Sequence, residues 1–112
     1  MTHATAPTLR ERQARIKQDY RERPDTGMQT SAVTSVTGDV EDPTRVRIAI
    51  DGIEGAVLEI AAHHAVGGTH PVPCSGDVFL AALAGCQEIT LRMVAAAIGL
   101  KLRHLSVRVE GD

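Results

Sequence analysis

The sequence predicts an α+β domain: an antiparallel β-meander, a long central helix and one further strand. Three observations carry this. Residues 44–50 and 56–61 alternate apolar and polar side chains on either side of Asp51-Gly52, as half-buried strands around a tight turn do. About 21 residues leading from Asp77 to Gly99 are Ala-rich, apolar nearly all round and free of proline. Residues 102–109 alternate again, with Leu105, Val107 and Val109 on one side.

The elements follow in order. Residues 1–27 form a charged N-terminal arm with six Lys/Arg and four Asp/Glu. Thr8 and Glu11 stand in capping-box spacing, which predicts a helix running to about Glu22, where Pro24 stops it. Its apolar stripe is thin, only Leu9, Ile16 and Tyr20, so it needs a neighbour or a second subunit to be stable. Residues 28–112 form the main domain. There the Thr, Ser and Val run of 28–37 reads as the first strand, closed by Gly38-Asp39. In the second, Val46, Ile48 and Ile50 oppose Arg45, Arg47 and Ala49; in the third, Val57, Glu59 and Ala61 oppose Leu58 and Ile60. Residues 62–74 hold two Gly, two Pro and three His and read as an irregular loop. Ser75 and Asp77 are both suitable caps for the long helix, and Gly99 stands where a C-terminal capping glycine belongs.

Composition narrows the classes of function. The chain has 112 residues, a formal net charge of −2 and only one Phe, one Tyr and no Trp, so its core is built from Ala, Val, Ile and Leu. That charge balance excludes a generic nucleic-acid binder, which needs a clustered basic surface. Two Cys are too few for a disulfide scaffold. Residues 1–23 are polar, with no apolar signal core, and Gln87, Glu88 and Arg92 interrupt the most apolar stretch. The expectation is a cytoplasmic protein with reduced thiols and no membrane partner.

Two thiols are the candidates for chemistry. Cys86 lies mid-helix, with Phe79, Ala82, Leu83, Ile89, Thr90 and Met93 at helical spacing on its face and Glu88 nearly opposite. A small cysteine in an apolar stripe more often packs than reacts. The helix dipole fades beyond the first turn, so only a cation from elsewhere could activate this thiol. Cys74 precedes the helix. Asp77 and Cys86 are nine helical residues apart, roughly 13 Å, so no Cys74–Cys86 bridge is expected. His63, His64, His70 and Cys74 match no closed zinc spacing, and no metal or cofactor is expected. No phosphate-binding or nucleophile-elbow motif is present.

The run Cys74-Ser75-Gly76-Asp77-Val78-Phe79-Leu80-Ala81-Ala82-Leu83-Ala84-Gly85-Cys86, continued by Thr90-Leu91-Arg92, resembles the OsmC/Ohr family. There a cap segment leads into an Ala-rich helix reading L-x-A-A-L-A-x-C. Ile98-Gly99-Leu100 and Leu105-Ser106-Val107-Arg108-Val109-Glu110-Gly111-Asp112 resemble the strand that follows. The resemblance covers about residues 28–112 and is most specific from Gly67 onward. It implies an intertwined homodimer with central helices packed back to back and sites at the interface. It implies a thiol peroxidase: Cys86 attacks an organic hydroperoxide and becomes a sulfenic acid, a second Cys resolves it, and an external dithiol regenerates the enzyme in oxidative stress defence. The family's resolving Cys lies in a later helix, so this chain resembles a family member truncated before it, and Cys74 does not stand at that position. The family's Glu falls on Gly76, one residue before Asp77. Its Arg falls on Gly38-Asp39, with Arg45 at the far end of the same loop. Cys86, Arg45 and Asp77 are therefore the expected catalytic set, with Cys74 a second thiol. The alternative is a non-catalytic ligand-binding or assembly module that keeps the fold without the peroxidase machinery.

Overall fold

The computed structural model describes residues 5–112. The first four residues of the arm lie outside the described part. Two compact units are present, one ending at Ser31 and the other spanning Ala32–Asp112.

In the first unit, helix α1 spans Leu9–Glu22. The expected capping box forms: the Glu11 N–H donates to Thr8 Oγ1 at 3.2 Å, and the Thr8 N–H donates to Glu11 Oε2 at 3.1 Å. Two otherwise orphaned donors are thus satisfied by two neighbouring side chains. Pro24 ends α1 and opens a short 3-10 turn, Pro24–Gly27, that the sequence did not suggest. None of the helix's residues is buried within the described chain.

The second unit contains the meander. Strands β1 (Val33–Ser35), β2 (Arg45–Ile50) and β3 (Val57–Ala61) form one antiparallel sheet in the order β1-β2-β3. Ile48 pairs with Leu58 and Ser35, and Arg47 pairs with Glu59. Asp51-Gly52 turns the chain as expected, with Gly52 at φ 83° and Gly55 at φ 77°, a region that favours glycine. β1 is much shorter than the 28–37 run. β2 fixes its length: Val33 already pairs with Ile50, the last residue of that strand, and beyond the Ala32 carbonyl, which accepts the Asp51 N–H at 3.0 Å, residues 28–31 have no ladder to join. At the other end Thr37 Oγ1 accepts the Arg47 N–H at 2.9 Å in place of a backbone carbonyl.

The loop 62–74 contains a 3-10 turn, His64–Val66, and is tied down at both ends. The Ala62 N–H donates to the Thr44 carbonyl at 2.8 Å, and the Ala61 N–H to the Pro73 carbonyl at 3.0 Å. Gly67 has φ 98°, and a Cβ on Gly68 would run into the Ala62 carbonyl, so Gly67-Gly68 is a steric requirement.

Helix α2 spans Ser75–Ala97, 23 residues. Its N-cap is Cys74, not Ser75 or Asp77; Asp77 sits one turn in and reaches back. Gly99 takes φ 73°, and the Leu100 N–H closes on the Ala95 carbonyl at 2.8 Å, the expected left-handed stop. By length and apolarity α2 meets the bare measure for a membrane-crossing helix, contrary to the sequence expectation, because the charges of Glu88 and Arg92 are too few to disqualify it. A helix covered by protein on several sides has the same composition.

Two features correct the expected architecture. Residues 102–109 form no regular element and bend at Arg103; Leu105, Val107 and Val109 are half-buried in alternation with exposed neighbours, yet the segment pairs with no strand among the described residues. The expected fourth strand does not join the sheet among the described residues. The core is also minimal: Ala61 and Ala95, where β3 meets α2, are the only buried apolar residues described.

Candidate thiol site and its surroundings

α2 turns Val78, Leu80, Ala84, Glu88 and Ala95 toward cover, which leaves the Cys86 side outward. Cys86 is exposed, and so are Phe79 (65%), Leu83 (42%) and Ile89 (58%) on the same face. Met93, one further turn along, is half-buried. The thiol thus sits at the centre of an uncovered apolar stripe. It takes part in no hydrogen bond or ion pair among the described residues, and the nearest helical charges, Glu88 and Arg92, pair with each other at 3.1 Å. Among the described residues no cation pairs with Cys86 to favour a thiolate.

Asp77 lies at the start of α2, nine helical residues from Cys86, roughly 13 Å along the axis. Its Oδ2 accepts from the Cys74 N–H at 3.2 Å and from the Cys74 thiol at 3.3 Å. These bonds, the backbone one first, hold the Asp77 carboxyl below its ordinary range. Both bonds run back to the residue that caps α2, so Asp77 serves the helix start. A Cβ on Gly76 would meet Cys74 Sγ at 3.6 Å, an ordinary contact, so no crowding explains the glycine there.

Arg45 opens β2 and forms an ion pair with Glu59 on β3. It also lines a cavity of about 280 Å³ with Thr37, Gly38, Asp39, Asp42 and Arg47. No hydrogen bond or ion pair joins it to Cys86 among the described residues. The three expected catalytic residues therefore occupy three places: the outer face of α2, its N-terminus and the sheet.

One polar cluster escaped the sequence reading. Asp42 Oδ1 accepts from the Thr44 N–H at 2.9 Å and the Thr44 hydroxyl at 2.6 Å, while His70 Nε2 lies 2.8 Å from Asp42 Oδ2. The Thr44 bonds, then His70, lower the Asp42 carboxyl to about 2. The Asp42-Pro43-Thr44 turn has a local signature; the contact with His70, 28 residues away, has none. Among the described residues no three His, Cys, Asp or Glu side chains group to hold a metal ion.

Residues 68–112 match the family described as OsmC-like protein. The matched stretch runs through the end of the loop, Cys74, Asp77, all of α2 with Cys86, and the tail, so the resemblance read from the helix motif holds there. The α+β arrangement of a three-stranded antiparallel sheet and two helices is compatible with that family's fold. No curated protein and no solved structure matches the chain.

Proposed function

We propose that the protein is an OsmC-like thiol peroxidase that reduces organic hydroperoxides through Cys86 in the cytoplasm, where its thiols stay reduced. The observation that carries this is the exposed Cys86 at the centre of an unpartnered apolar face, inside the OsmC-like stretch. In the reaction the Cys86 thiolate attacks one peroxide oxygen. An S–O bond forms, the O–O bond breaks, and the departing alkoxide takes a proton to leave as an alcohol. Cys86 is left as a sulfenic acid, and an external dithiol reduces it with release of water. The apolar face suits the organic part of such a substrate. Because no cation pairs with Cys86 among the described residues, the reading requires a homodimer in which a second copy presents one, Arg45 or another arginine, beside the thiol. Stopped-flow consumption of cumene hydroperoxide is expected to need Cys86: Cys86→Ser loses the activity, and a variant that keeps the wild-type rate overturns the assignment.

A second reading rests on two observations, the capping role of Asp77 and the lack, among the described residues, of a charged partner for Cys86. It makes the protein a non-catalytic ligand-binding or assembly module of the same fold. Reaction of Cys86 with a thiol reagent across pH separates the two. A thiol titrating near or above the free value of about 8.5 supports the module, and one titrating well below it supports the peroxidase.

A further inference from the structure

The cavity between the β1–β2 connection and β2 carries a charge arrangement of which the peroxidase reading uses only Arg45. Two arginines, Arg45 and Arg47, and two aspartates, Asp39 and Asp42, are among its lining residues, yet none of the four forms an ion pair with another among the described residues. Arg45 is committed to Glu59, and Asp42 to Thr44 and His70. Arg47 contributes its backbone N–H to Thr37 Oγ1, while its guanidinium has no partner among the described residues. Asp39 accepts only the Glu41 N–H, on Oδ1, at 2.9 Å. Among the described residues the Arg47 guanidinium and one oxygen of Asp39 thus have no partner, and both residues line one hollow. Opposite charges at a protein surface usually close on each other; here strand geometry holds Arg47 on β2, and the Glu41 bond holds Asp39 in the loop.

We infer that this cavity binds a small zwitterion of the α-amino-acid class, its carboxylate on Arg47 and its ammonium on Asp39. A volume of about 280 Å³ is at the small end for ligand pockets and suits an amino acid rather than a nucleotide or a lipid. Guanidinium–carboxylate and carboxylate–ammonium contacts are charge-assisted bonds that fix the orientation of a dipolar ligand. A simple anion would face the two carboxylates, and a simple cation the two guanidinium groups, so only a ligand with both charges is complemented. The inference stands apart from the chemistry of Cys86.

Ligand-observed NMR on the full chain tests it, with L-alanine as the probe and acetate and methylamine as half-ligands. The expected result is that L-alanine binds on the order of tenfold more tightly than either half, and that Arg47→Gln and Asp39→Asn each weaken it by a similar factor. Both side chains are on exposed residues, and unchanged circular dichroism confirms that each variant folds. L-alanine that binds no better than the half-ligands, equally to both variants, or not at all at millimolar concentration overturns the proposal. The half-ligand comparison uses only the wild-type protein and decides the matter even if a variant fails to fold.

Discussion

Cys86 and Cys74 differ by surroundings more than by position. Cys74 donates to a carboxylate held ionised, whereas Cys86 sits in an apolar stripe and makes no hydrogen bond among the described residues. The helix motif made Cys86 legible as the candidate thiol, and the Thr8–Glu11 box was legible because its partners are three residues apart. The Asp42–His70 contact was not, since it depends on how the loop 62–74 folds back. That contact leads to a pH prediction. Asp42 titrates at about 2 in the folded protein against an ordinary 3.8, so it stabilises the fold above the ordinary value, and this contribution is lost as pH falls from about 4 toward 2. Urea midpoints of the wild type should drop over that interval, and those of Asp42→Asn should drop less. Equal acid sensitivity would show that the cluster contributes nothing.

At the scale of elements, local signals succeeded wherever the determinant is local. The two paired strands, the Asp51-Gly52 turn and the Gly99 stop agree with the pattern because periodicity and glycine chemistry fix them. β1 came out short because its partner strand ends, and the tail stayed unpaired although its alternation is that of a strand. Both depend on what lies beside the segment, which no local window contains. Two glycine substitutions separate the kinds of constraint. Gly99→Ala meets open space and carries only left-handed backbone strain, a loss of about 1 kcal/mol. Gly68→Ala must displace the Ala62 carbonyl at the start of the loop and should lose more, about 2 kcal/mol or above. Thermal unfolding of the two variants checks the order; a milder effect at Gly68 would contradict this account of the loop.

For the whole molecule the governing fact is incomplete burial. A second unit whose only buried apolar residues are Ala61 and Ala95, with Phe79, Leu83 and Ile89 in water, leaves more apolar helix uncovered than soluble monomers tolerate. A two-fold interface along α2 would cover that face, and the unpaired tail could complete a sheet across it. Light scattering at low micromolar concentration should return a dimer. Ile89→Asp should dissociate it, whereas the same change on a face that stays in water would be nearly neutral. A stably folded monomer would contradict the packing. Such an interface would also place Cys86 where a second chain can supply its cation, which ties assembly to chemistry. The most direct measurement is therefore made on the thiol itself: mass spectrometry after exposure to cumene hydroperoxide in the presence of a sulfenic-acid trap. The account predicts an adduct on Cys86 and little on Cys74. Cys86 left unmodified, or both thiols modified alike, would contradict it.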